Sequence, residues 1–368
     1  MSSILFLLSH QPNPRFVKQI NYLSKKYDVS VLYYHREYMK DLSSEYGSNM
    51  GLNENIGSIS NGSYMQRICK YIKSIKSLYT IVKENKYNVL IVNNIDTLAL
   101  FKLCTMFQSY DTKIAIEISD LRSHTYTDSF KSKVMRTIEK FMFKFVDKLI
   151  VTSPKFYDMY YNTLFKGEPF VLENKPLSNM IPAKLEKKNS DKVIIGIVGL
   201  LLQGKPYKTL FETIKDNDKY EVHIYGKGIF EELVNEYANK YENIKFFGEY
   251  NFFQDSAKIY STLDILYMPY DTTDGSLNNK VALPNKFYEA MYFKVPIITS
   301  KGTYLGELVE KYSIGQSLAC CKEKELRDGL KEIIENKVQY VSNLNHLDKD
   351  LYIADDDYRR LEECIIQF

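Results

Sequence analysis

Lys286 and Glu289 sit three residues apart at what reads as the start of a helix. The stretch LPNKFYEAMYFKVPIITS, residues 283–300, has helical spacing and then runs into an apolar strand. Pro284 suits the first helical position, because the N–H that it lacks is unpaired there anyway. Leu283 then falls at the cap, where its side chain accepts no hydrogen bond. The N–H groups of Asn285, Lys286 and Phe287 are left facing outward, and a bare helix N-terminus attracts anions. Lys286 adds a mobile positive charge, and Glu289 can accept hydrogen bonds from a diol on roughly the same face. A phosphate at the helix start and a sugar diol at Glu289 together describe a nucleotide. Hydrogen bonds to charged groups contribute about 1.5–3 kcal/mol each, so a few of them approach the roughly 8 kcal/mol of a micromolar ligand. The plainer reading is a surface ion pair between the two residues, contributing about 0.2–0.5 kcal/mol.

The elements around this helix start carry related signals. IVGLLLQGKPYKTL (197–210) runs from strand through Gly199 and Gly204 to Lys205 and a helix, and YGKG (225–228) ends the next strand at Tyr225 and Gly226. A glycine after a strand lets backbone approach a ligand, and ligands of open α/β sheets bind at the carboxyl ends of strands. Lys205 is placed in its turn to reach a diphosphate. Tyr225, Tyr250 and Tyr270 each flank a strand end and can stack on a base, although among 31 tyrosines any one is as readily structural.

The whole chain alternates strand and helix. SILFLL, VSVLYY, NVLIVN, KIAIEI and KLIVTS are apolar runs separated by amphipathic stretches, and the series restarts as VIIGIVG, YEVHIYG, NIKFFG, DILYMPY, VPIITS and GQSLAC. Continuous apolar strands between helices predict parallel sheets covered on both faces. The Pro- and Lys-rich stretch between the two series reads as a linker near 173–191. The expectation is α/β: two Rossmann-like, doubly wound domains, residues 1–172 with a C-terminal helix (351–368), and residues 173–350. Two segments, 41–63 and 270–284, read as long irregular loops.

Composition narrows the function classes. Of 368 residues 45% are hydrophobic, too many for a disordered chain. Residues 1–172 carry 23 Lys and Arg against 15 Asp and Glu, net +8, while the remainder carries 26 against 31, net −5. A basic half suggests an anionic partner or surface there. Nucleic acid is not expected, since the whole-chain pI is only about 8.3. The five cysteines (Cys69, Cys104, Cys320, Cys321 and Cys364) form no C-x-x-C pair and their number is odd, which argues against metal knuckles and a disulfide framework. A reducing cytosol fits, so the Asn61-Gly62-Ser63 sequon carries no weight. The run ILFLL is too short for a signal segment, and no stretch reaches the ~20 apolar residues of a membrane span. The acidic runs at 271–274 and 355–357 have no His or Cys support for a metal; the second opens a helix, where acids complement the dipole.

With these motifs in order, the chain resembles the retaining glycosyltransferases of the GT-B fold, the group 1 type that builds bacterial surface glycans. VIIGIVGLLLQGKPYKTLFETI, YEVHIYGKG, NIKFFGEY, IYSTLDILYMPY, LPNKFYEAMYFKVPIITS and YSIGQSL carry the resemblance in the second half; SHQPNPR, IEISDLRSH, VDKLIVTSPKF and VLENKP carry it more loosely in the first. The resemblance implies two domains facing a central cleft and transfer of a sugar from a nucleotide-sugar, with UDP the expected nucleotide, to a hydroxyl of a glycan or lipid-linked glycan. It implies no metal and no cofactor beyond the co-substrate. Carried over by position, Glu289 holds the donor ribose, Lys205 contacts the diphosphate, and Leu283, Pro284 and Asn285 face phosphate and sugar. Asp120 lies where the acceptor hydroxyl meets the donor, with His124 nearby, and Arg15 is a candidate acceptor or phosphate contact. The donor set expected is Gly199, Lys205, Tyr225, Gly226, Tyr270, Leu283, Pro284, Asn285, Lys286 and Glu289. This sequence departs from the family at Val281, where many members have a second glutamate, and at Leu200, where many have arginine; Lys286 can partly replace the latter. A sugar-nucleotide epimerase on the same architecture and a non-catalytic nucleotide or sugar sensor are the rival readings. A Rossmann dehydrogenase is disfavoured, because the first strand runs into SHQPNPR with no G-x-G-x-x-G.

Two basic amphipathic stretches, 64–79 and 130–148, account for much of the N-terminal charge. Each can lie on an anionic inner-leaflet surface, which makes the protein cytoplasmic and peripheral. Alternatively, each covers the sheet with its apolar face and leaves its lysines in water.

Overall fold

A computed structural model describes residues 2–37, 42, 50–59, 64–106, 111–188, 190–273 and 275–366, with backbone alone at 64–68. The sequon at 61–63, most of segment 41–63 and Asp274 lie outside the described residues. The chain divides into two units, Met1–Glu173 with Asp356–Phe368, and Asn174–Asp355.

In the first unit the strands are β1 (Ser3–Leu8), β2 (Asp28–His35), β3 (Asn53–Ser58), β4 (Val89–Val92), β5 (Lys113–Ile118), β6 (Lys148–Val151) and β7 (Phe170–Val171). They pair in parallel in the order β3-β2-β1-β4-β5-β6-β7. The expectation that 41–63 is irregular throughout needs correction, because β3 lies inside it. Its sequence NENIGS shows neither an apolar run nor alternation. As an edge strand it is held by backbone pairing to β2 and keeps polar side chains in water.

In the second unit the strands are β8 (Val193–Val198), β9 (Tyr220–Tyr225), β10 (Ile244–Phe246), β11 (Ile265–Met268), β12 (Ile297–Ser300) and β13 (Gly315–Leu318). They form a parallel sheet in the order β10-β9-β8-β11-β12-β13. Leu266 and Met268 face one core layer, with Phe287, Tyr288 and Met291, while Ile265 and Tyr267 face the other, with Tyr207, Leu210 and Phe211. Both faces are thus covered by helices, as the unbroken apolar strands require. Strand order reverses beside β8, which puts the switch point of a doubly wound sheet at the carboxyl ends of β8 and β11.

The C-terminal helix Asp355–Ile366 packs on the first unit: Tyr358 lies 5.3 Å from the ring of Tyr22, and Glu362 pairs with Lys26 at 3.0 Å. Beneath it lies a buried ion pair. Arg15, on helix Pro14–Leu23, meets Glu117 Oε1 of β5 at 2.8 Å, and Gln19 Nε2 donates to Glu117 Oε2 at 2.6 Å. A buried pair of this kind contributes little net stability, but breaking it strands a charge. Glu117→Ala is therefore expected to destabilise the first unit by about 3–5 kcal/mol. Replacing both partners, Arg15→Met with Glu117→Leu, is expected to recover most of that loss, as read by urea unfolding.

Candidate functional site

The helix that opens the candidate site runs Asn285–Phe293 and begins one residue later than the sequence suggests. Pro284 is the cap residue, with extended backbone (φ −82°, ψ 152°), and its carbonyl accepts the Phe287 N–H at 3.0 Å. The proline ring fixes φ, but nothing forces ψ into the helical range, so Pro284 turns the chain in from outside. Its side chain accepts nothing, and the N–H groups of Asn285 and Lys286 have no acceptor among the described residues. The Phe287 N–H, expected to be free, is taken up in the tight first turn.

This helix start borders a cavity of about 370 Å³ at the carboxyl ends of β8 and β11. Gly199, Leu200, Gln203, Tyr250, Tyr270, Asn285, Lys286 and Glu289 are in its wall. Gly199 ends β8 in the left-handed region at φ +98°, where a Cβ would lie 3.6 Å from Lys286 Nζ. Glycine is thus what lets the strand end turn beside the lysine. Gly226 does not reach the cavity wall; it backs Gly199. With φ +138° it lies so close that a Cβ would fall 1.8 Å from the Gly199 carbonyl oxygen.

Both charged residues of the site are withdrawn from water. Burial pushes the Lys286 amine down to about 8, against the opposing pull of Glu289. Glu289 is only 7% exposed, and its Oε2 accepts from the Tyr260 hydroxyl at 2.7 Å. Tyr260 is itself buried and stacks on Phe293 at 4.7 Å. Burial first, and the Glu289 carboxylate after it, raise the phenols of Tyr250 and Tyr260, so both stay neutral donors. Tyr260 fixes one oxygen of the carboxylate, while Glu289 still contributes to the cavity wall. The site can therefore receive an anion at the helix start and hydroxyl donors at the carboxylate.

Of the residues singled out in the sequence, Gly199, Tyr270, Pro284, Asn285, Lys286 and Glu289 come together here. Four do not line the cavity. Lys205 is exposed on the first turn of helix Gly204–Ile214; the cation at the wall is Lys286. Tyr225 stacks on Phe247 at 4.7 Å instead. Leu283 is buried in the core, and Gly226 acts only through Gly199. Val281 is buried too, on the short helix Leu277–Val281, so a carboxylate at that position would have no water. Leu200 is exposed at the cavity and makes its wall apolar. Sequence reasoning missed Tyr260 and Gln203. Gln203 Oε1 accepts the Asp271 N–H at 2.6 Å and so ties the β11 end to the β8 turn.

The first unit has its own cavities at the carboxyl ends of β1, β4 and β5. Asp120 lines one of about 170 Å³, with His10, Asn93, Arg122 and Glu139. His124 lines an adjoining one with His10, Arg36 and Arg122. His124 Nε2 is 3.1 Å from Glu139 Oε2, which also accepts from Tyr160 at 2.7 Å. His10 is a further residue that the sequence did not reveal. Its Nδ1 donates to the Gln11 carbonyl at 2.6 Å, which leaves Nε2 to accept from Asn93 at 3.0 Å. Burial holds its pKa below the usual imidazole value. Arg15 reaches neither cavity: its guanidinium is committed to Glu117 in the core, which corrects its reading as an acceptor or phosphate contact.

Known proteins place this geometry. The structure superposes on sucrose-phosphate synthase from Thermosynechococcus elongatus with TM-score 0.72 at 13% identity, covering 100% of this chain and 99% of the other. HepE from Anabaena, solved with UDP-glucose, gives 0.69 at 15%, covering 100% of each chain. WaaG, a glycosyltransferase involved in lipopolysaccharide biosynthesis, gives 0.69 at 12%, covering 98% of this chain and 99% of that one. No curated protein matches the sequence. Identities this low establish fold alone, and the fold is GT-B. Residues 181–349, which hold the uncapped helix and its cavity, match the model of the family described as glycosyl transferases group 1. The match lies within the second unit, so the likeness to the group 1 glycosyl transferases is shown for that unit.

Proposed function

We propose that the protein is a retaining glycosyltransferase that moves a sugar from a nucleotide-sugar, a UDP-sugar in the first instance, to a hydroxyl of a glycan or lipid-linked glycan. The observation that carries this reading is the uncapped helix start, with Lys286 and Glu289 in one cavity wall. The diphosphate lies at the N–H groups of Asn285 and Lys286 and at the Lys286 amine; the ribose hydroxyls donate to Glu289. The UDP-glucose complex of HepE, a protein of the same fold, supports the choice of nucleotide.

In the proposed reaction the bond from the anomeric carbon to the diphosphate oxygen breaks. The acceptor oxygen bonds to that carbon on the same face, and its proton passes to the departing diphosphate oxygen. No covalent nucleophile takes part. The chain binds and orients the donor, and its buried positive field stabilises the charge that develops on the leaving group. That field comes from Lys286 and the helix start, so the reaction is proposed to run without a metal ion. Asp120, at the end of β5, is assigned to the acceptor hydroxyl. Unit Met1–Glu173 is then the acceptor-binding domain and unit Asn174–Asp355 the donor-binding domain.

A nucleotide-sugar panel in a thermal-shift assay is expected to show stabilisation by one nucleotide family; no shift with any nucleotide would overturn the donor-site assignment. Glu289→Ala is expected to weaken nucleotide binding at least tenfold, and Tyr260→Phe by a smaller factor, since a hydrogen bond to a charged group is worth about 1.5–3 kcal/mol. Affinity should also depend on pH with a definite sign. Lys286 titrates at about 8, so it is charged below that pH and neutral above it. A bound diphosphate favours the charged form. Calorimetry with UDP is expected to show proton uptake above pH 8 and affinity falling as pH rises, with both effects absent in Lys286→Met. Glycoside formed with an acceptor mixture separates the transferase from the epimerase and sensor readings.

A further inference from the structure

Helix Phe130–Met142 of the first unit is built inside out. Its buried residues are Ser132, Glu139 and Met142, with Arg136 half-buried and donating to the carbonyls of His124 and Thr127. Its large apolar residues point the other way. Phe130 is 84% exposed and Phe141 56%, and Val134 and Ile138 are exposed between them. At the helical repeat these four fall within about 80° of arc, roughly opposite the buried Glu139. A helix that only covered a sheet would show the reverse pattern.

The stripe does not stand alone. Helix Ile95–Thr105 packs beside it, bringing the exposed Leu103 and, just past its end, Met106. Beyond that lies helix Tyr64–Glu84, with Ile72 and Tyr79 exposed. Exposed apolar side chains thus recur on three neighbouring helices, and a large exposed apolar area marks an interaction site. Basic groups outnumber acids around it. Lys131, Lys133, Lys140 and Lys144 flank the stripe, and Lys73, Lys76 and Lys83 are exposed on the outer helix. Lys144 Nζ lies 5.8 Å from the Phe141 ring and Lys102 Nζ 4.6 Å from that of Phe145, so apolar rings and ammonium groups share one surface. The acid within helix Phe130–Met142, Glu139, points inward; Asp128, just before the helix, is exposed and 3.5 Å from Lys133 Nζ, Asp96 opens helix Ile95–Thr105, and Glu84 follows Lys83 at the end of the outer helix.

We propose that this three-helix face of the first unit docks on an anionic lipid bilayer, with Phe130, Val134, Ile138 and Phe141 entering the headgroup–acyl boundary and the flanking lysines meeting the phosphates. An apolar stripe bordered by lysines matches the layering of such a surface, apolar within and anionic at the rim. A second copy of the chain matches it poorly, because a two-fold interface sets the same patch against itself and brings lysine against lysine.

The full chain is incubated with vesicles of phosphatidylcholine alone, and of equal parts phosphatidylcholine and phosphatidylglycerol, and bound protein is measured by flotation. Binding is expected to the anionic vesicles, weakening as salt rises. Phe130→Ser with Phe141→Ser should abolish it while leaving the melting temperature unchanged, since both side chains are exposed. Lys140→Gln should reduce it about fivefold, the worth of one lysine near an anionic surface. Absence of binding to anionic vesicles overturns the proposal, as does binding that survives the phenylalanine substitutions. A dimer in sedimentation equilibrium that these substitutions dissolve also overturns it, by assigning the face to a second copy. Nucleotide binding by the second unit is read separately, so failure here leaves the donor-site reading untouched.

Discussion

The second unit is organised around two charges that must stay charged while half out of water. Lys286 and Glu289 are placed by one helix start, and each is costly to bury unless something compensates it. Tyr260 answers part of the Glu289 charge, and Glu289 in turn steadies Lys286. Much of the nearby architecture follows from that need. Gly199 gives the strand end room beside the lysine, Gly226 gives Gly199 room, and the Tyr260–Phe293 stack holds the hydroxyl that faces the carboxylate. The uncapped helix belongs to the same economy. Its free N–H groups leave a positive end that an ordinary Ser or Asp cap would have closed.

Most of the fold was legible in the sequence because parallel strands buried on both faces leave unbroken apolar runs. β3 and β7 were not, for different reasons. NENIGS is an edge strand defined by backbone pairing, and Phe170–Val171 is too short to carry a period. The site was legible in the residues whose chemistry conflicts with their local role. A capless helix start, and a lysine and glutamate near a buried strand, are visible without coordinates. Tyr260 was not, since its role depends on a hydroxyl meeting a carboxylate 29 positions away, and nothing local distinguishes it from the other tyrosines. Arg15 shows the opposite error. It sits at the start of a helix after a strand, but sequence spacing does not reveal that its side chain meets a buried carboxylate.

Helix Phe130–Met142 shows why amphipathicity alone is ambiguous. Its periodicity fits both a helix covering a sheet and a helix lying on a surface. The burial of Ser132 and Glu139, with the aromatic stripe turned outward, separates the two. The basic excess of the first half of the chain is concentrated on that face and its neighbours, so charge and apolar exposure point to the same surface of the first unit.

The central claim is that the uncapped helix start is a diphosphate site and Glu289 a ribose ligand. A crystal structure with a bound UDP-sugar tests it most directly. The account predicts diphosphate oxygens within hydrogen-bonding distance of the Asn285 and Lys286 N–H groups and the Lys286 amine, with a ribose hydroxyl on Glu289. A nucleotide bound elsewhere, with the Glu289 carboxylate still contacted only by protein, would contradict it.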